Sequence, residues 1–201
     1  MNFSLIVGSH RVSSQSGKVA NYLKTKLQAL GAKESKIFDL GENPLPLWDP
    51  SMWERDSELK QTWNQFSEGM KDSDGFIFLS PEYAGMASPA LKNLFLYASS
   101  ADFAHKPGLI ITVSSGMGGS YPNAELRMSS YKNTRIVYIP DHVIVRHVES
   151  VLNGELPVGK EDEYIRERLD YSLSLLIEYS KALTSVRNSS AVNLKKFPFG
   201  L

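Results

Sequence analysis

The 201-residue sequence contains no cysteine. That absence excludes disulfides, thiolate nucleophiles, CxxC redox pairs, cysteine-ligated zinc and iron–sulfur clusters, so any redox chemistry has to be carried by a bound cofactor. An excess of charge of either sign is also missing, because 22 Lys and Arg balance 22 Asp and Glu. No bulk field draws the chain toward nucleic acid or an anionic membrane, and neither is expected as a partner. Long hydrophobic runs are lacking too. The first apolar run, residues 3–7, is too short for a signal-peptide core, and nowhere is there the run of roughly 18 apolar residues that a membrane helix needs. The expectation is a soluble, cytoplasmic protein. The four histidines, His10, His105, His142 and His147, stand apart without a carboxylate at ligand spacing, so no metal site is expected.

Four short runs, residues 3–7, 75–79, 109–113 and 136–139, are nearly continuous in Ile, Leu, Val, Phe and Tyr without period-two alternation. Strands buried on both faces have this pattern. A weaker run covers residues 36–40. Helical spacing fills the intervals: Val19, Leu23, Leu27 and Leu30; Leu59, Trp63, Phe66 and Met70; Leu91, Leu94, Phe95 and Ala98. A fourth helix is expected over residues 120–132, and a last one carries Ile165, Leu169, Leu173, Leu176, Tyr179 and Leu183 on one side. Gly31 suits the end of the first helix, and Ser88 before Pro89 suits the start of the third. Strand and helix alternate five times, which predicts an α/β three-layer sandwich around an open parallel sheet. Five strands favour the flavodoxin-like order 2-1-3-4-5 over a six-stranded dinucleotide fold, and ligands then bind beyond the carboxyl ends of the strands where the order reverses. One domain is expected over residues 1–184, with a tail, residues 185–201, that either frays or docks through Phe197, Phe199 and Leu201.

Three loops meet that edge. The first, GSHRVSSQSGK (residues 8–18), offers four serine hydroxyls, Arg11 and free amides at a helix start, all donors for one phosphate; composed otherwise, it is a serine-rich cap with a solvated arginine. A Walker loop would need glycine at Val12 and serine or threonine at Val19, and GxGxxG is absent. His10 can touch a phosphate or be a plain exposed position. The second loop, residues 80–93, runs through Pro81, Glu82, Tyr83, Ala84 and Gly85 in a wide turn whose backbone can meet the edge of a planar heterocycle, with Tyr83 and Met86 to flank it. Nothing near Glu82 in sequence pairs with it. The third loop, residues 114–122, holds Gly116, Gly118 and Gly119, which let backbone approach a ligand closely.

These motifs together resemble those of the NADPH-dependent FMN reductase family, flavodoxin-like proteins that include quinone, azo and chromate reductases. The family's GSxRxxSxN is similar to Gly8-Ser9-His10-Arg11-Val12-Ser13-Ser14-Gln15-Ser16; its PEYN-glycine and PxxLKN to Pro81-Glu82-Tyr83-Ala84-Gly85 and Pro89-Ala90-Leu91-Lys92-Asn93; its GxxGG to Gly116-Met117-Gly118-Gly119. Residues 3–184 are covered. The resemblance implies that Ser9, Arg11, Ser14 and Ser16 hold the FMN phosphate, that Pro81, Glu82, Tyr83, Ala84 and Gly85 contact the isoalloxazine ring, and that Ser115, Gly116, Met117, Gly118 and Gly119 lie near its pyrimidine edge. It implies a hydride passed from NADPH or NADH to flavin N5, with no catalytic side chain, and two electrons delivered to a small-molecule acceptor by a homodimer or homotetramer. A noncatalytic FMN-binding carrier or flavin-sensing protein is the alternative, though flavodoxin-type carriers are usually strongly acidic. Ala84 departs from the family's asparagine.

Overall fold

The computed structural model describes residues 1–200. Five parallel strands, β1 (Asn2–Val7), β2 (Glu34–Asp39), β3 (Gly75–Tyr83), β5 (Pro107–Val113) and β6 (Val137–Val145), form a sheet in the order β2-β1-β3-β5-β6. A two-residue strand, β4 (Met86–Ala87), pairs antiparallel with the end of β3. Counted along the parallel sheet alone, the order is the expected 2-1-3-4-5.

The central strands are buried along their lengths: β5 has no exposed residue, and β3 none before Glu82. Water is excluded by helices on both faces, which is why these runs do not alternate. On one face, α1 (Gln15–Ala29) and α7 (Gly159–Arg187) bury Val19, Leu23, Leu27, Leu169, Leu173 and Leu176 against Leu5, Val7, Ile77 and Ile111. On the other, α2 (Glu58–Glu68), α3 (Pro89–Tyr97) and α5 (Ser120–Met128) bring Trp63, Leu91, Leu94 and Leu126 onto Ile6, Phe76, Phe78 and Ile110. Short helical turns, η1 (Pro50–Trp53), α4 (Ser100–Phe103) and α6 (Tyr131–Thr134), complete that layer.

Two elements differ from their sequence patterns. The helix expected over residues 120–132 is two helices, broken at Ser129 and Ser130, where Ser130 adopts φ 67. The last strand extends well past residue 139, because a bulge absorbs Pro140: Gly108 pairs with Tyr138, yet Ile110 pairs with His142. Proline cannot donate to a ladder and is tolerated at an edge or a bulge. Arg127 Nη2 donates to the carbonyls of Ile139 and Asp141 at 2.9 and 2.8 Å, which fastens the bulge and occupies that arginine.

Beyond Arg187 the chain turns back over α6, and Arg135 Nη2 donates to the carbonyls of Phe197 and Phe199 at 2.7 and 2.8 Å. Leu201 lies outside the described residues.

Candidate functional site

The carboxyl edge of the sheet gathers the loops after β1, β3 and β5. Gly8 makes the first approach possible: its amide donates to the Leu79 carbonyl at 2.8 Å, and a Cβ there would lie 2.7 Å from Ser88 Oγ and 3.0 Å from Leu79 O. The loop after β1 is thereby pressed against the end of β3. Ser9 Oγ and the Tyr83 hydroxyl are 2.9 Å apart, and Ser9 Oγ also accepts the Arg11 amide at 3.1 Å. His10 stacks on the Tyr83 ring at 6.1 Å between centroids, while its Nε2 accepts the Ala90 amide at 3.2 Å. Ser9 and Tyr83, 74 residues apart, are thus in direct contact.

Ser14 caps α1, accepting the Gly17 amide at 3.0 Å, which leaves its hydroxyl proton free to donate. The buried hydroxyl of Ser16, the amides of Gln15 and Ser16 in the first helical turn and the exposed Arg11 guanidinium have no hydrogen-bond partner among the described residues. Unspent donors and a cation beside the positive end of a 15-residue helix suit a phosphate monoester. Lys18, in the same motif, does something else. Its ammonium donates to the carbonyls of Val148 and Val151 and to Asn153 Oδ1, which anchors the segment between β6 and α7. Burial pulls this lysine below its usual range, with Asp162 and Glu149 opposing.

The loop after β3 is tighter than its length suggests. Instead of a wide turn, β3 continues through Glu82 and Tyr83, reverses over Ala84 and Gly85, and returns as β4. Ala84 and Gly85 have φ 49 and φ 73, so the two-residue connection has positive φ at both centres, as a type I′ hairpin turn requires. Asparagine and glycine are the residues that accept such positions readily, which gives a backbone reason for the family's asparagine at position 84.

The third loop is tied to the second. Glu82, without a partner nearby in sequence, accepts the Gly119 amide 37 residues away. A Cβ on Gly118 would lie 2.5 Å from Glu82 Oε1, and one on Gly119, at φ 107, would lie 2.3 Å from Ile144 Cγ2. Both glycines are required by close approach. The Gly119 amide is consequently turned inward, as is that of Gly116, which donates to Ser114 Oγ at 3.2 Å. The amides of Ser115, Met117 and Gly118 have no acceptor among the described residues and remain for a ligand.

Other contributors had no sequence signature. Arg146 Nε donates to the Met117 carbonyl at 2.7 Å, and the His147 amide to the Gly116 carbonyl at 3.2 Å, so the segment after β6 closes the flank of the glycine loop. Glu125 accepts the Ala87 amide at 2.7 Å and the Lys92 ammonium at 2.6 Å; Lys92 holds its carboxyl below the usual range, against the effect of burial. Asn93 of the PxxLKN motif faces away from the edge, where its amide accepts the Trp48 N–H at 2.9 Å and donates to Pro46 O at 2.8 Å. Val12, Met86, Met117 and Tyr121 are exposed around the rim and make it apolar above its polar floor.

The largest hollow, about 560 Å³, lies away from this edge, between α2, the end of α3 and the tail, lined by Trp48, Trp53, Trp63, Tyr97 and Phe199. Among the described residues no cluster of three metal-ligating side chains occurs, and no helix is long and apolar enough to cross a membrane.

The family model described as NADPH-dependent FMN reductase matches residues 1–150. An FMN-dependent NADPH-azoreductase of Staphylococcus saprophyticus is 33% identical over 168 residues, covering 82% of this chain and 88% of that protein. An NADPH azoreductase of Bacillus sp. (strain OY1-2) is 29% identical over 156 residues, covering 78% and 82%. Among solved structures, the flavoenzyme NAD(P)H:(acceptor) oxidoreductase FerB of Paracoccus denitrificans superposes with a TM-score of 0.68 at 18% identity, over 90% of this chain and 97% of that one, a likeness of fold.

Proposed function

The chain belongs to the NADPH-dependent FMN reductase family, and on that premise we propose that it passes two electrons from NADPH or NADH, through FMN, to a small acceptor such as a quinone, a free flavin, an azo compound or chromate. The observation that carries this reading is the meeting of three loops at one sheet edge, where Ser9 touches Tyr83 and unspent donors surround Arg11. When bound, the flavin supplies the hydride-accepting N5 and the two-electron chemistry.

The chain's own residues bind and orient. Arg11, the hydroxyls of Ser14 and Ser16 and the first amides of α1 hold the phosphate. Ser9 acts partly through Tyr83, fixing that ring beside the loop. The stretch Pro81, Glu82, Tyr83, Ala84 and Gly85 borders the isoalloxazine, and the free amides of Ser115, Met117 and Gly118 stabilise negative charge that develops on its pyrimidine side. The apolar rim of Met86, Met117 and Tyr121 excludes water from the face where nicotinamide and acceptor take turns. Residues 1–184 constitute the FMN-binding unit, with 185–201 as its tail. The exposed Trp53, Leu96, Met128 and Tyr131 form the face through which two copies associate. A cytoplasmic setting follows from the dinucleotide reductant.

Anaerobic stopped-flow mixing of the FMN-loaded protein with NADPH or NADH tests this. Bleaching of the flavin within seconds is expected. No bleaching with either reductant would favour a noncatalytic carrier or flavin-sensing protein, and protein that cannot be loaded with FMN would overturn the reading altogether.

A further inference from the structure

The short hairpin at the rim cannot hold its own shape. It has two cross-strand pairs, Glu82 with Ala87 and Tyr83 with Met86, closed by a turn in which a non-glycine residue has positive φ. Isolated two-stranded hairpins of this kind are marginal in water. Both members of one pair are instead tied to the same helix. Glu82 accepts the amide of Gly119, the N-cap of α5, which has no side-chain cap of its own. Ala87, directly opposite Glu82, donates its amide at 2.7 Å to Glu125 in the second turn of α5. Lys92 of α3 joins the same carboxylate at 2.6 Å. Thr112 Oγ1 donates to the Gly119 carbonyl at 2.8 Å and secures the junction from β5. A carboxylate at a helix start is favoured by the dipole, so Glu82 replaces the missing cap from another element.

We infer that Glu82 and Glu125 are positioning residues that clamp the hairpin to α5, so that the loop carrying Tyr83 and the loop carrying Ser115–Gly119 move as one jaw. The inference rests on the flavin-binding reading for its functional consequence. Glu125 touches neither of the two ligand-facing loops' free donors; it acts through Ala87. Releasing Ala87 frees the returning strand, loosens Tyr83 from Ser9 and lets the Glu82–Gly119 contact open.

Glu125→Ala is the informative variant, because alanine is a better helix former than glutamate and α5 is retained. Amide exchange by NMR on FMN-free protein is the first readout. Glu125→Ala is expected to speed exchange at Gly119, in the remote end of the clamp, by about tenfold, and FMN titration to give a dissociation constant raised about fivefold, with Glu125→Gln returning both to within about twofold. A folded Glu125→Ala with unchanged exchange at Gly119 and unchanged FMN affinity overturns the clamp, as does a glutamine variant as impaired as alanine. If Glu125→Ala does not fold, exchange in the unaltered protein decides: an Ala87 amide as fast as a free loop amide overturns the inference, and a protected one upholds it. Protein that binds no FMN defeats the functional reading alone, since the exchange measurement is made without flavin.

Discussion

Replacing Ala84 with asparagine should stabilise the protein. Ala84 stands at φ 49 in the first central position of the hairpin turn, followed by Gly85 at φ 73. An L-residue in the left-handed region costs roughly 1–2 kcal/mol, from Cβ against its own following carbonyl, and asparagine recovers part of that through local hydrogen bonding. The position is exposed, so no packing term competes. Ala84→Asn is therefore expected to gain about 0.5–1 kcal/mol, a rise in Tm of about 1–4 °C for a chain of this size. Ala84→Val should lose about 1 kcal/mol, since a β-branched residue fits positive φ worst. Ala84→Gly should change little, because relief of strain is offset by the larger freedom of the unfolded chain. Urea unfolding of the three variants as FMN-free protein keeps flavin binding out of the comparison. Equal stability of the asparagine, alanine and valine forms would refute the turn geometry. If the asparagine variant also binds FMN more tightly, the family residue presets the ring loop; if only stability changes, its role is confined to the turn.

Arg11→Ala should weaken FMN binding by about 1.5–3 kcal/mol, the worth of a charge-assisted hydrogen bond, and unchanged affinity by titration would place the phosphate elsewhere. Gly119→Ala meets Ile144 Cγ2 at 2.3 Å with φ 107, so a loss of more than about 2 kcal/mol is expected in urea unfolding. The buried pair of Asp162 and Arg166, 3.0 Å apart, secures the segment before α7. Arg166→Met would strand a carboxylate that is 1% exposed and should cost about 3–5 kcal/mol, read as a shift of the urea midpoint at neutral pH. Burial pushes the Asp162 carboxyl up, but Arg166 and the amides of Leu152 and Val158 outweigh it and hold the group below its usual range. The folded value is thus below the unfolded one of about 3.9, so this contribution is complete above that pH and fades as the pH falls further. A urea midpoint no more acid-sensitive in the unaltered protein than in Asp162→Asn would contradict the assignment.

The parallel sheet was legible because uninterrupted apolar runs have one cheap explanation, a strand covered on both faces, and alternation with helical spacing then restricts the topology. The helix over residues 120–132 was legible only as a pattern. Its break at Ser129 and Ser130 carries no proline or glycine, and Ser130 at φ 67 is held there by Tyr138, whose hydroxyl lies 2.7 Å from Ser130 Oγ. Likewise Lys18 reads as a phosphate-loop cation beside Gly17, yet its partners are Val148, Val151 and Asn153, more than 100 residues on.

Composition and local order determined the class of chemistry. With no thiol and no metal cluster in the pattern, electrons must travel through a borrowed cofactor, and three loops rich in serine, glycine and aromatic residues fall at one end of the strands. Which donors still face outward was decided by tertiary structure alone. Gly119 and Gly116 point their amides inward and Glu82 is spent on holding α5, whereas Ser16, Arg11 and the first amides of α1 keep theirs unspent. A hydrogen-bonding group has the same identity in the chain whether its partner is a ligand or a residue far along the sequence. Only the packing of the elements shows which it has.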